Sequence, residues 1–188
     1  MKTVSFIRMI DGTRDEYAFL AEQEGALDEK LADNVLALLV ALKGPKLGYQ
    51  VDRYEHSLQT ATRALRDGVD EETVVCALLH DVGDTHAPHN HGQFVADILK
   101  PYISEENCWV LAHHPVFQGY YFWHHLDMDR NARDQYAGHP HYDACVQFCE
   151  RWDQTSFDPG YDTLPVETFE PMVRRIFARE PWSQGQTV

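Results

Sequence analysis

Ala77-Leu78-Leu79-His80-Asp81-Val82-Gly83 is the stretch of this 188-residue chain on which its fold turns. An apolar run with the character of a buried helix stops on a His-Asp pair. An imidazole and a carboxylate at the mouth of an apolar segment are costly to bury unless something binds them. A divalent metal ion accepts both ligand types. Adjacent residues on an ideal helix point about 100° apart, so the pair serves one centre best where the helix ends, and Gly83 supplies that ending. If Asp81 used both oxygens, it could hold one metal with His80 and lean toward a second. A lone His-Asp dipeptide also fits a polar helix terminus, and residues elsewhere in the chain decide between the two.

His56 lies upstream in Tyr54-Glu55-His56-Ser57-Leu58-Gln59-Thr60-Ala61, where Leu58, Ala61, Ala64 and Leu65 form an apolar helical stripe. Asp153 lies downstream in Phe148-Cys149-Glu150-Arg151-Trp152-Asp153, near the end of another periodic segment. Taken singly, His56 fits an ordinary helix histidine and Asp153 a surface carboxylate. As a set ordered H…HD…D on successive helices, they supply two imidazoles and two carboxylates to one point.

On these residues the chain resembles the HD-domain superfamily, metal-dependent enzymes named for the adjacent pair. Two further histidines sharpen the resemblance. His91 opens His91-Gly92-Gln93-Phe94-Val95-Ala96-Asp97-Ile98-Leu99, and His114 closes Trp109-Val110-Leu111-Ala112-His113-His114, just before Pro115. The resemblance implies an all-α HD-domain helical bundle with a dinuclear metal site in its centre. In that arrangement Asp81 bridges, His56, His80 and Asp153 complete one metal site, and His91 and His114 complete the other. His80 and Asp81 form the catalytic pair. Six nitrogen and oxygen donors with no thiolate suit iron, manganese or magnesium, and zinc less exclusively.

From His56 to Asp153 the sequence is most similar to the mixed-valent diiron oxygenase branch of HD proteins. That branch includes myo-inositol oxygenase and the oxygenases that cleave carbon–phosphorus bonds of hydroxylated aminophosphonates. The text around Glu55-His56-Ser57-Leu58-Gln59, then Ala77 to Asp81, then Val95-Ala96-Asp97-Ile98-Leu99 reads like the phosphonate-cleaving enzymes. The resemblance implies two iron ions (Fe2+/Fe3+), with dioxygen as co-substrate, acting on a carbon that bears a hydroxyl.

The departures bear on the substrate. Gln118 stands where the phosphonate enzymes carry an anion-holding lysine, four residues after His114. Asp84 stands where the family carries lysine or histidine, four residues after His80. Lys46 and Tyr49 occupy the places of a metal-capping tyrosine and a glutamate. Two anion-binding positions have lost positive charge and one has gained a negative one. A carboxylate near the metals repels a phosphonate strongly at low effective dielectric unless a cation intervenes. The expected substrate is therefore a small hydroxylated molecule, neutral or amine-bearing, met by Asp84, Gln118, Tyr49 and His86. The alternative is a metal-dependent phosphohydrolase using Mn2+, Mg2+ or Zn2+, in which metal-activated water attacks phosphorus. It would want cations near the site, and Arg53, Lys100 and Lys46 are the nearest in sequence. The Gly-Tyr-Pro triplet of cyclic-dinucleotide HD hydrolases is absent.

A formal charge of −14 argues against nucleic acid and against an anionic membrane surface. No apolar run reaches the roughly 18 residues of a membrane span. The start, Met1 to Asp11, is too short and too charged for a signal peptide. Cys76, Cys108, Cys145 and Cys149 form no C-x-x-C pair and read as free thiols of a reducing, cytoplasmic compartment. Cys145 and Cys149, one helical turn apart, also leave a metal pair open. Length favours one domain over residues 1–188, its core at about 50–155 with a helix packed on at each end.

Helices are expected over 27–42, ended by Gly44-Pro45, and over 54–66, 71–80 and 91–99. A further helix over 104–114 is capped by Ser104. A short aromatic helix over 117–125 covers the site, and the last two run over 142–152 and 166–179. The loop 81–90 sits between proposed ligands, where loops commonly carry function. Of the neighbours His113 and His114, one should face the metals, and the resemblance selects His114.

Overall fold

The computed structural model describes residues 2–28 and 30–183. Among them the chain is all-helical, with no strand. The α-helices are α1 (Arg14–Asp28), α2 (Leu31–Ala41), α3 (Arg53–Arg66), α4 (Glu71–Leu79), α5 (His91–Leu99), α6 (Glu105–Phe122), α7 (Tyr142–Phe148) and α8 (Val166–Phe177). A π turn, Cys149–Asp153, continues α7. Short 3-10 turns lie at Met9–Asp11, Trp123–Leu126 and Ala132–Tyr136.

α4 is the axis of the fold. Val74, Val75, Ala77, Leu78 and Leu79 are wholly buried, so this helix is apolar all round and needs neighbours on every side. α3, α6 and α8 pack against it, α5 and α7 pack on α6, and α2 bridges α3 and α8. Side-chain caps set three of the helix starts. Asp52 accepts the Glu55 N–H at 2.8 Å, Asp70 the Thr73 N–H at 3.0 Å, and Ser104 the Asn107 N–H at 3.2 Å. Glu72, buried on α4, accepts from the Ser104 N–H at 2.7 Å and the Asn107 side chain at 2.8 Å, and also pairs with Arg179. One carboxylate thus ties α4 to the start of α6 and to the end of α8.

Three expectations are corrected, and one helix was not foreseen. The helix expected over 27–42 starts at Leu31, with α1 ending at Asp28; residue 29 lies outside the described residues. Leu27 is 66% exposed and the buried stripe begins at Ala32 and Val35, so there was no apolar reason to extend α2 backward. α1 itself carries no buried stripe in its sequence and was not anticipated. The separate helix over 117–125 is the continuation of α6, which runs through Pro115 to Phe122. Gly83 does not terminate α4, which stops at Leu79; its role is steric and concerns His91. Of the expected single domain, residues 1, 29 and 184–188 lie outside the described residues. No helix among the described residues is long and apolar enough to cross a membrane.

Candidate metal centre

Five elements deliver six polar side chains to one place inside this apolar frame. α3 presents His56, the end of α4 His80 and Asp81, the first residue of α5 His91, the middle of α6 His114, and the π turn Asp153. His56, His80, Asp81, His114 and Asp153 are buried. The π turn matters for the last: Gln154 N donates to Cys149 O at 3.0 Å, and the widened turn aims Asp153 inward, a common use of such turns at functional sites. Gly83 lets α5 approach. A Cβ at Gly83 would stand 2.9 Å from the Cα of His91 and 3.0 Å from its carbonyl oxygen.

Each imidazole has one nitrogen engaged away from the centre. His56 Nδ1 meets Ser156 O at 3.0 Å, His80 Nδ1 meets Ala77 O at 2.8 Å, and His114 Nδ1 meets Leu111 O at 2.7 Å. A carbonyl only accepts, so each of these Nδ1 atoms carries a hydrogen, and when the ring is neutral its Nε2 offers a lone pair. His91 Nδ1 lies 3.1 Å from Asp84 Oδ1. All four Nε2 atoms turn inward. Those of His56 and His80 are each 3.4 Å from Asp81 Oδ2, and 3.3 and 3.8 Å from Asp153 Oδ1. Those of His91 and His114 are 3.6 and 3.4 Å from Asp81 Oδ1. The two oxygens of Asp81 are thereby divided between two pairs of histidines.

The electrostatics are those of a cation-binding cage. Burial disfavours charge on His56, but Asp153 and Asp81 outweigh it and hold its pKa up at about 9. Burial takes His80 down to about 4. Burial opposes the charge on Asp81 too, yet the surrounding histidines keep it well below the usual carboxylate range; Asp153 is lowered in the same way. Asp153 Oδ2 is buried without a hydrogen-bond partner. Oriented Nε2 atoms, two carboxylates and an orphaned carboxylate oxygen fit divalent metal ions. Three overlapping groups have donor atoms close enough to share an ion: His56, His80 and Asp81; Asp81, His91 and His114; and His80, His114 and Asp153.

A cleft of about 460 Å³ opens onto this cluster. Tyr49, Phe157, Tyr121, Phe122 and Trp123 give it an aromatic wall, and Arg53, Asp84, Gln118 and Gln154 also line it. Gln118 Nε2 donates to Asp153 Oδ1 at 3.0 Å, which leaves its buried Oε1 without a donor. Tyr49 stacks on Phe157, ring centres 5.1 Å apart. Asp84 does not stand free in the cleft, as the charge argument from sequence required. Its carboxylate accepts from Arg53 Nε at 2.9 Å and faces His91 Nδ1. Burial and the neighbouring Asp81 nevertheless raise its pKa. His86 is not brought to the cleft. Its backbone N–H bonds Gly83 O at 2.9 Å in a tight turn, and its exposed ring stacks on Phe94. His113 turns away from His114, stacked on Trp109 at 4.1 Å. Cys145 and Cys149 are buried thiols set against the carbonyls of Val110 and His114.

Sequence reasoning passed over Phe157 and Ser156, and named Arg53 only as a nearby cation for the hydrolase alternative. Arg53 lies 4.0 Å from Asp81 Oδ2 and over the rings of Tyr49 and Phe157, at 4.8 and 5.8 Å. Its signal was available: a residue three before His56 on one helix shares its face. Phe157 stacks on His56 at 4.4 Å. Both Phe157 and Ser156 belong to a loop strapped across α3, where Gln59 exchanges two hydrogen bonds with the Asp158 backbone. A loop contact a hundred residues away leaves no local pattern.

A family model described as HD domain matches residues 53–156, and no curated protein matches the chain. The match runs from Arg53 through all six clustered residues to Ser156, whose carbonyl holds His56.

Proposed function

The chain belongs to the HD-domain family, and from that premise we propose that it is a metal-dependent enzyme, specifically a diiron oxygenase of a small hydroxylated substrate. The observation that carries the two-metal part is the division of Asp81. Oδ2 is shared with His56 and His80, and Oδ1 with His91 and His114. We assign His56, His80 and Asp153 to one iron, His91 and His114 to the other, and Asp81 to both. Iron bound there would supply the redox chemistry that activates dioxygen and removes hydrogen from a hydroxyl-bearing carbon.

The residues of the chain do the rest. The aromatic wall of Tyr49, Phe157, Tyr121, Phe122 and Trp123 excludes water and favours a compact organic substrate. Gln118 must point Nε2 at the Asp153 carboxylate, which cannot donate, so its Oε1 asks for a hydroxyl or amine hydrogen from the substrate. Arg53 and Asp84 neutralise one another beside the metals, which supports the neutral substrate over the amine-bearing one.

The alternative is a metal-dependent phosphohydrolase, and one observation favours it: Arg53 is a cation on the cleft wall, 4.0 Å from Asp81. Its Nε is held by Asp84, and a single paired arginine is thin provision for a phosphate. Oxygen uptake and phosphate release separate the two. Anaerobically iron-loaded protein should consume oxygen with a hydroxylated compound from a substrate panel. Rapid phosphate release from nucleoside monophosphates, with no oxygen uptake across the panel, would establish the hydrolase instead.

A further inference from the structure

α4 and α6 solve the same problem by different means. His80 Nδ1 bonds the Ala77 carbonyl, and Ala77 lies in the last turn of α4, where carbonyls have no helical donor. The helix end supplies that acceptor without further help. His114 sits in the interior of α6, where every carbonyl is ordinarily taken by the N–H four residues on. Residue 115 is a proline, and a proline has no N–H to give the carbonyl four residues back, which is Leu111. The Leu111 carbonyl accepts the Nδ1–H of His114 at 2.7 Å instead. On its other side lies Gly92, in the first turn of α5. A Cβ at Gly92 would stand 2.7 Å from the Leu111 oxygen and 2.9 Å from Cγ of Pro115. Such separations are unattainable for a real side chain, so the space taken by this carbonyl and this proline ring exists because residue 92 is glycine.

We propose that Pro115 and Gly92 are positioning residues for His114, granted that His114 is a metal ligand as proposed above. The proline releases the Leu111 carbonyl from the helix axis. The glycine gives that carbonyl room to stand off the axis. The carbonyl then fixes the ring so that Nε2 faces Asp81 Oδ1 at 3.4 Å. The same contact sets His91, which immediately precedes Gly92, against His114, so both histidines on the Oδ1 side are registered at one meeting point of α5 and α6. A carbonyl has two lone pairs, so a restored N–H at 115 would not block the Nδ1 bond outright. It would draw the carbonyl back into line with the helix and away from the ring.

Zinc(II) titration by calorimetry, with nitrogen-15 spectra of the zinc-loaded protein, tests this on the full chain. Wild type should show two binding events and a slowly exchanging Nδ1–H on His114. Pro115→Ala should leave thermal stability undiminished, since alanine suits a helix better, yet weaken one event by ~10–100-fold, the usual effect of losing a ligand's outer hydrogen bond. It should leave the other event unchanged, and the His114 Nδ1–H should exchange faster. Gly92→Ala should weaken the same event. If Pro115→Ala keeps both affinities and the slow Nδ1–H, the positioning role is wrong. If His114→Ala itself keeps two tight zinc ions, the ligand assignment beneath it fails instead.

Discussion

The Nε2 atoms of His56 and His80 face one another at 3.1 Å. Both rings already donate from Nδ1, so two lone pairs would oppose each other unless a proton or a cation lay between them. In the metal-free protein a proton would take that place. Burial works against a charge on either ring, but Asp153 and Asp81 raise His56 to about 9, while burial lowers His80 to about 4. A metal ion must displace that proton. Because the pKa of His56 lies above neutrality, metal binding near neutral pH should release at least one proton, and affinity should climb with pH until about 9. Calorimetry in buffers of different ionisation enthalpy counts the proton. An affinity that stays flat from neutrality to that pH would remove the argument.

The division of Asp81 between two histidine pairs predicts unequal effects of ligand substitution. His91→Ala or His114→Ala should lower bound metal from two per chain toward one, while Asp81→Ala should disturb both ions. Each lost imidazole should weaken its own ion far more than its neighbour's. Metal analysis after anaerobic iron loading reads this directly. A full complement in both histidine variants would mean that neither imidazole holds an ion, and the two-metal assignment would fail.

Glu72 makes a prediction about the fold, independent of any metal. Its side chain joins Ser104, Asn107 and Arg179 across three helices. Burial pushes its pKa upward, but those three partners outweigh burial and hold it below the ordinary glutamate value. A depressed carboxylate contributes stability above its unfolded pKa and loses it as pH falls through the folded one. Glu72→Gln should therefore cost about 1–3 kcal/mol at neutral pH, since it leaves Arg179 without its charged acceptor. The gap from wild type should narrow in acid, below the unfolded glutamate pKa. Urea unfolding of both proteins across that range measures it, and a gap that widens in acid would contradict the sign.

How much of this was legible in the sequence follows from the range of each interaction. Asp52, Asp70 and Ser104 announce helix starts because capping is local, and the apolar run 74–79 announces the central helix by its own composition. The His80-Asp81 pair was legible because its chemistry is unusual at the end of an apolar helix; His56 and Asp153 joined it as an ordered set, and His91 and His114 through the family resemblance. Their partners were not. Ser156 O reaches His56 from a hundred residues away, and the Arg53–Asp84 pair spans a helix and a loop, so periodicity carries no trace of either. Pro115 misled because a proline inside a helical pattern ordinarily ends it. Here His114 answers the freed carbonyl and the helix continues.

Arg53 recasts what the substrate should be. Asp84, taken alone, asks for an amine. In the structure its carboxylate lies 2.9 Å from Arg53 Nε, and Arg53 also stands over Tyr49 and Phe157. The faces of Tyr49 and Phe157 already hold this guanidinium, and the two charges cancel. Wild type should then prefer a neutral hydroxylated compound over its amine and carboxylate analogues. Arg53→Gln frees Asp84 and should shift preference toward the amine. Asp84→Asn frees Arg53, and Gln118→Lys adds a cation beside Asp153, so both should begin to admit the carboxylate. A charged partner gained or lost is worth about 1–3 kcal/mol, which at roughly 1.4 kcal/mol per tenfold is a change of about 5- to 150-fold in relative kcat/KM. Oxygen-uptake kinetics on a matched neutral, amine and carboxylate set measure it for all four proteins. If the ranking of the three compounds is the same in every variant, these side chains do not meet the substrate and its charge is set elsewhere.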